Sequence, residues 1–232
     1  MAKLKVLMIQ TSNSGVAYWR LYNFWKAMHR RHLADCRVLW WQKDLKDVHH
    51  WQTEIADPMY MARMTAEMNA YARESDVVVF QSLHTEIALS ALYALKDAFP
   101  RIPIASESDD DITDTPNYNP AFMGYRPGGM FLGRQLAQFK HSDAMIVSTP
   151  YLREVYEDYN PHIYAIPNSI DNELWGSVKK RGKPGVRIGW AGGASHDDDL
   201  RILEPVIPEI LSRHPEATFV FIHGIPQFLK NI

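Results

Sequence analysis

Four stretches of this 232-residue chain carry side chains able to do chemistry, and each follows a short apolar run. Glu107-Ser108-Asp109-Asp110-Asp111 clusters four carboxylates within five residues. Such a cluster can hold Mg²⁺ or Mn²⁺ together with substrate phosphates, take a proton as a general base, or simply form a solvated loop that caps a helix. His84 lies four residues past the run Asp76–Phe80 (DVVVF). Its imidazole can hydrogen-bond a hydroxyl or steady developing charge, or it can cap the helix that follows. Gly15 follows the first apolar run, where a backbone without Cβ either lets a ligand approach or only turns the chain into a helix. Ala191-Gly192-Gly193-Ala194-Ser195-His196 is the fourth stretch. Its small residues would let backbone amides approach a diphosphate at a helix N-terminus. Ser195 and His196 would add hydrogen bonds, and Arg201, one turn into the next helix, would supply the cation.

Several function classes are disfavoured at this stage. The chain has no GxGxxG or Walker sequence, so dinucleotide and P-loop readings lack support. No Ser-His-Asp order or Cys-His pair suggests hydrolysis through a nucleophile. A formal net charge of −2 gives no basic excess for stable nucleic-acid binding. The basic cluster Lys179-Lys180-Arg181-Lys183 sits in a Gly- and Pro-containing linker and reads as a solvated hinge. A single cysteine, Cys36, permits no internal disulfide and suits a reducing cytoplasm. No apolar run reaches the length of a signal peptide core or a membrane span, so a soluble cytoplasmic protein is expected.

The elements that must position these residues alternate. Lys3–Gln10, Cys36–Trp41, Asp76–Phe80, Ile102–Ala105 and Ala144–Ser148 read as short strands. Helices are expected over Val16–Arg30, from Asp57-Pro58 to about Glu74, and over Thr85–Phe99, Phe131–Lys140 and Pro150–Tyr159. Met61, Met64 and Met68 share one face of the second helix and read as core. Asp114–Gly129, rich in Pro and Gly, reads as a long loop near the site. His162–Ile166 closes this series. After the linker, strands over Val186–Trp190 and Ala217–His223 flank a helix over Asp198–Arg213. This alternation predicts an α/β fold, a parallel sheet covered by helices on both faces. Ligands would then gather beyond the carboxyl ends of the strands.

At the join stands Ile166-Pro167-Asn168-Ser169-Ile170-Asp171. This hexapeptide resembles the Ile/Val-Pro-Asn-x-Ile/Val-Asp signature of GT-B glycosyltransferases of the retaining family-four (group 1) type. There it lies between two Rossmann-like domains, with Pro167, Asn168 and Asp171 at the hinge positions. The resemblance implies an acceptor-side domain over 1–172, a linker over 173–185 and a donor-side domain over 186–232. A complete second domain needs further strands, so the chain is expected to be truncated relative to the family. Implied as well is transfer of a sugar from a nucleotide-sugar donor, without a metal or other cofactor. The acceptor (glycan, lipid, protein or modified nucleic acid) is left open. On this reading His84 faces the sugar, Asp110 acts as base, and Asp109 and Asp111 contact the acceptor. Gly15, Gly192, Gly193, Ser195, His196 and Arg201 would serve the donor and its diphosphate. The chain departs from the family in having Ser14 where a second glycine is frequent, and acids in place of the usual Arg and Lys beyond the second glycine turn. A metal-dependent GT-A-like transferase using Asp109 and Asp111, or a non-catalytic binding module, are the rival readings.

Overall fold

The computed structural model describes residues 3–10, 15–40, 58–81, 84–179, 182, 185–192, 196–222, 225 and 227–229. The chain forms two compact units, 1–115 with 124–176, and 116–123 with 177–232.

The first unit is built on six parallel strands: β1 (Leu4–Gln10), β2 (Ala34–Trp40), β3 (Val77–Gln81), β4 (Ile104–Ser108), β5 (Ala144–Val147) and β6 (Ile163–Ala165). Their spatial order is β2-β1-β3-β4-β5-β6. The chain therefore runs outward from β1 to β2, then returns past β1 to β3. That reversal opens a crevice beyond the carboxyl ends of β1 and β3, the usual ligand position in open α/β sheets.

Neighbouring residues of β1 point to opposite faces, as strand geometry requires. Leu7 and Ile9 enter one core with Met64, Met68, Leu92 and Leu95, while Val6 and Met8 enter another with Leu21 and Cys36. A strand apolar on both sides must be covered on both sides, which explains the unbroken run Val6–Ile9. The covering helices on the first face are α3 (Pro58–Arg73) and α4 (Glu86–Ala98). Met64 and Met68 are fully buried, each worth about 1.5–3 kcal/mol by area. The Met61 side chain and Asp57 lie outside the described residues. Thr85 caps α4, its Oγ1 accepting from Ala88 N at 3.2 Å.

The expected helix over 16–30 is continuous but irregular. It opens as α1 (Gly15–Ala17), takes a π-helical turn over Tyr18–Tyr22, and continues as α2 (Asn23–Arg30). The N–H of Asn23 donates to Tyr18 O, five residues back, which defines that wider turn. Beyond β4 come a short α5 (Phe122–Tyr125), then α6 (Met130–His141), α7 (Pro150–Val155) and α8 (Asn172–Gly176).

Two expectations need correction here. β4 does not stop at Ala105; it runs through Glu107 to Ser108, every residue buried. A carboxylate is tolerated inside a strand because a buried arginine meets it, as described below. In the second unit, the helix expected over 198–213 is broken into α9 (Asp197–Leu200), a 3₁₀ turn (Arg201–Leu203) and α10 (Val206–Arg213). Pro205 and Pro208 lack the amides a continuous helix would use. This unit otherwise pairs β7 (Val186–Ala191) with β8 (Ala217–Ile222) in parallel.

Candidate functional site

Gly15, His84 and the acidic run all follow the carboxyl ends of adjacent strands: β1, β3 and β4. They therefore share one edge of the first unit's sheet, and the details around each differ.

His84 is 6% exposed and packs on Phe131, ring centroids 4.2 Å apart. Tyr125 Oη lies 3.5 Å from its Nδ1. The Tyr125 hydroxyl gives its one proton to Gln135 Oε1 at 2.8 Å, so toward His84 it can only accept. The alternative role for His84 as a helix cap is taken by Thr85. Burial, and then the charge of Asp110, hold the Tyr125 phenol far above its ordinary pKa, so it stays neutral. Tyr125 thus meets His84, with Asp110 near enough to weigh on the phenol, though less than burial does.

Two glycines make that meeting sterically possible. A Cβ at Gly124 would fall 2.0 Å from the Phe131 ring, and one at Gly129 would fall 2.2 Å from Gly124 O. The expected loop over 114–129 thus contains a tight fold that delivers both Tyr125 and Phe131 to His84. Among the described residues, a Cβ at Gly15 would touch only Trp19, at 4.0 Å.

The acids divide into distinct environments. Asp111 is structural in its contacts: Oδ1 accepts from Thr113 N at 2.9 Å and Thr113 Oγ1 at 2.6 Å, and Oδ2 from Tyr151 at 3.0 Å. Burial opposes its charge, but these bonds prevail and keep its carboxyl below the ordinary range. The backbone of the run is pinned by Tyr156, whose Oη donates to Asp110 O at 2.5 Å and accepts from Ile112 N at 3.0 Å. Ser148 Oγ adds a bond to Asp109 O at 3.1 Å. Asp109 is pushed up to about 6 by burial and then by the neighbouring charge of Asp110. Glu107 is pushed up to about 7, again chiefly by burial, with Arg20 pulling it back. Both carboxyls therefore hold their protons more tightly than ordinary carboxylates. Among the described residues, no group of three or more His, Cys, Asp or Glu is arranged to hold a metal ion.

Arg20 had no place in the sequence reading, yet it joins β4 to the hinge segment. Its side chain is fully buried; Nε donates to Glu107 Oε1 at 2.5 Å, and Nη1 donates to Ile166 O at 2.7 Å and Asn168 Oδ1 at 3.1 Å. From the same helix face, Asn23 Nδ2 donates to Ser169 O at 3.0 Å, Lys26 Nζ pairs with Asp171 at 2.8 Å, and Arg30 bonds both Asp171 and Glu173. Lys26 first, then the Leu174 amide and Arg30, hold the Asp171 carboxyl well below the ordinary range despite desolvation. Asp171 also accepts from the Glu173 and Leu174 amides at 3.1 and 3.3 Å, capping α8. The Pro-Asn-x-x-Asp segment is therefore stitched to the helix after β1 by four side chains spaced three to four residues apart. Asn168 and Asp171 take part in this directly; Pro167 contributes its carbonyl to Ser169 Oγ at 3.3 Å. A polar stripe of Arg20, Asn23, Lys26 and Arg30 in an aromatic helix was the signal available in the sequence.

In the second unit, Gly192 follows β7, and a Cβ there would come 2.4 Å from the Trp190 indole. Folding of Trp190 over this position is a packing reason for glycine, independent of any ligand. His196 Nδ1 pairs with Asp199 at 2.9 Å, and Arg201 stands in the 3₁₀ turn. Gly193 and Ser195 lie outside the described residues.

No family model matches the chain, and no curated protein matches it. Among solved structures, the chain is similar to Phytolacca americana UGT2 complexed with UDP-2fluoro-glucose and pterostilbene. Identity is 11%, coverage 97% of this chain and 72% of that one, and TM-score 0.54. It is also similar to a UDP-glucose: anthocyanidin 3-O-glucosyltransferase in complex with UDP, at 9% identity, 98% and 74% coverage, and TM-score 0.52. At these identities the likeness is one of fold. The chain has a glycosyltransferase-like fold of the GT-B, Rossmann-like kind. No helix among the described residues is long and apolar enough to cross a membrane.

Proposed function

We propose that this chain serves a glycosyltransferase that moves a sugar from a nucleotide-sugar donor to an acceptor hydroxyl, with retention and without a metal. The observation that carries this reading is His84, packed on Phe131 and facing Tyr125 at the carboxyl edge of a parallel sheet, one strand from the acidic run. That is where a Rossmann-like sheet binds ligands. Two proteins of similar fold are solved with UDP or a UDP-sugar.

In this reading the bond from the anomeric carbon to the donor diphosphate breaks as the acceptor oxygen forms a bond to the same carbon. Attack on the face from which the diphosphate leaves preserves configuration. Asp110 takes the acceptor proton, and Asp109, already near neutrality, can share it. His84 hydrogen-bonds the sugar and opposes the charge that develops at the anomeric centre. Asp111 holds the shape of the loop on the acceptor side. Gly15 leaves backbone room for the ligand, and Gly192, Gly193, Ser195, His196 and Arg201 receive the diphosphate. Catalysis of this kind rests on positioning and charge stabilisation rather than on a covalent intermediate. The lone buried Cys36 fits a reducing, cytoplasmic setting.

The test is release of nucleoside diphosphate from a panel of UDP-, GDP- and ADP-sugars with mixed acceptors, with the product anomer read by NMR. Release with a retained anomer, unchanged by a chelator, is expected. An inverted anomer overturns the retaining assignment, and complete dependence on Mn²⁺ overturns the metal-free one.

A further inference from the structure

Arg20 is carried on the π-helical turn Tyr18–Tyr22, a wider winding that is rare and concentrates at functional sites. Its guanidinium reaches two places that the sheet keeps apart. Glu107 lies in β4, flanked in register by Gln81 of β3 and Ile146 of β5, so its backbone is fixed within the sheet. Ile166 and Asn168 follow β6, and β5 stands between β4 and β6. Arg20 therefore ties two strands that are not neighbours, through Nε on one side and Nη1 on the other. The two ends of the tie are unequal, because one acceptor is a carboxylate and the other two are neutral oxygens. Nη2 is buried with no partner among the described residues. A guanidinium cannot shed its proton. Without the Glu107 charge it must stay stranded or leave for water, and in leaving it gives up Ile166 and Asn168. A second hold on the segment is separate: Lys26 and Arg30 fix Asp171, which caps α8.

We infer that Arg20 is a latch coupling the carboxyl end of β4 to the hinge segment: Ile166 and Asn168 are held only while the Glu107 carboxylate anchors the guanidinium. Loss of charge at the root of the acidic run is thereby felt at the hinge, two strands away. Arg20 pulls the Glu107 carboxyl back toward its ionised form, and by reciprocity the ionised carboxyl retains Arg20. The coupling does not depend on the transferase reading.

Two amides report the two holds. The Ile166 amide donates to Val147 O at 2.8 Å, beside the Arg20 bonds, and the Trp175 amide donates to Asp171 O at 2.9 Å, within α8. Hydrogen exchange of the whole chain, read residue by residue by NMR, should show Ile166 about tenfold faster in Glu107→Gln, with Trp175 little changed. Arg20→Met should speed Ile166 as much, and adding Glu107→Gln to it should change Ile166 no further. Should Glu107→Gln fail to fold, Glu107→Asp keeps the charge but withdraws it by one methylene, and should speed Ile166 by a smaller factor. A native Ile166 rate in the Glu107 variant overturns the latch, as do separate effects that multiply in the double variant. Equal acceleration of Ile166 and Trp175 reports general loosening and overturns it too.

Discussion

Arg20 Nε and Glu107 Oε1 meet at 2.5 Å with both side chains out of solvent, one on the helix after β1 and the other within β4. The same guanidinium reaches Ile166 O and Asn168, so a single residue joins the root of the acidic run to the hinge segment. Its third nitrogen, Nη2, is buried without a partner, which leaves the pair dependent on the contacts it does make.

Removing one partner strands the other charge. Glu107→Gln should therefore destabilise the chain by about 3–5 kcal/mol, the usual cost of an uncompensated buried charge, whereas Arg20→Met should cost less because Glu107, already pushed up to about 7, can take a proton. Arg20→Met with Glu107→Gln should recover a substantial part of that loss, since both charges are then gone. Urea denaturation of the two single variants and the double variant measures the coupling; strictly additive losses would show that the pair does not act as one unit.

The raised carboxyls set a pH window. Glu107 and Asp109 bind protons more tightly folded than unfolded, with folded values of about 7 and about 6. Their contribution is fully present below their ordinary values of 4.5 and 3.8 and is lost as pH rises through about 6 and then about 7. Asp171 and Asp111 act in the opposite sense: their contribution is present above the ordinary 3.8 and is lost as pH falls below it. The urea midpoint should fall between pH 5 and pH 8, and Glu107→Gln should flatten the upper part of that fall. A midpoint that climbs across the window contradicts the assignment.

Gly124 should tolerate no side chain. Its Cβ would overlap Phe131, so Gly124→Ala should cost about 1–3 kcal/mol and disturb the His84 environment. Gly133, in the middle of α6 with nothing within 4 Å of a Cβ, is the control. Gly133→Ala should stabilise by about 0.5–1 kcal/mol. Calorimetric melting of both variants decides, and equal effects would remove the steric argument.

Asp171→Asn should loosen the hinge without touching the sheet. Its carboxylate receives Lys26, Arg30 and two α8 amides, whereas an amide oxygen attracts the cations far less. Hydrogen exchange should rise at the amides of 173 and 174 while β1 and β3 stay protected. Unchanged exchange there would mean that α8 is held by something else.

Much of the fold was legible because β1, β3 and the alternating helices carry unbroken apolar runs that only a doubly covered parallel sheet can bury. The glycine, histidine and aspartate loops could be placed at one sheet edge for the same reason. Glu107 was misjudged as loop because a carboxylate reads as solvated unless its partner is known, and Arg20 lies 87 residues away. The break in the helix after Asp197 was visible in Pro205 and Pro208, but hydrophobic periodicity concealed it. The contact of Tyr125 with His84 depends on a backbone approach at Gly124 and Gly129 that no local pattern encodes. Asp111 looked equivalent to Asp109 and Asp110 in sequence, and only its bonds to Thr113 and Tyr151 separate it from them.

The central claim is that the sheet edge at His84 receives a nucleotide sugar. Saturation-transfer NMR, which detects millimolar binding, tests it most directly on the chain with a panel of UDP-, GDP- and ADP-sugars. The account predicts saturation of both sugar and base protons of one donor, with the sugar signal lost in a folded His84→Gln variant. Absence of transfer to every donor in the panel, or a sugar signal indifferent to His84→Gln, would contradict it.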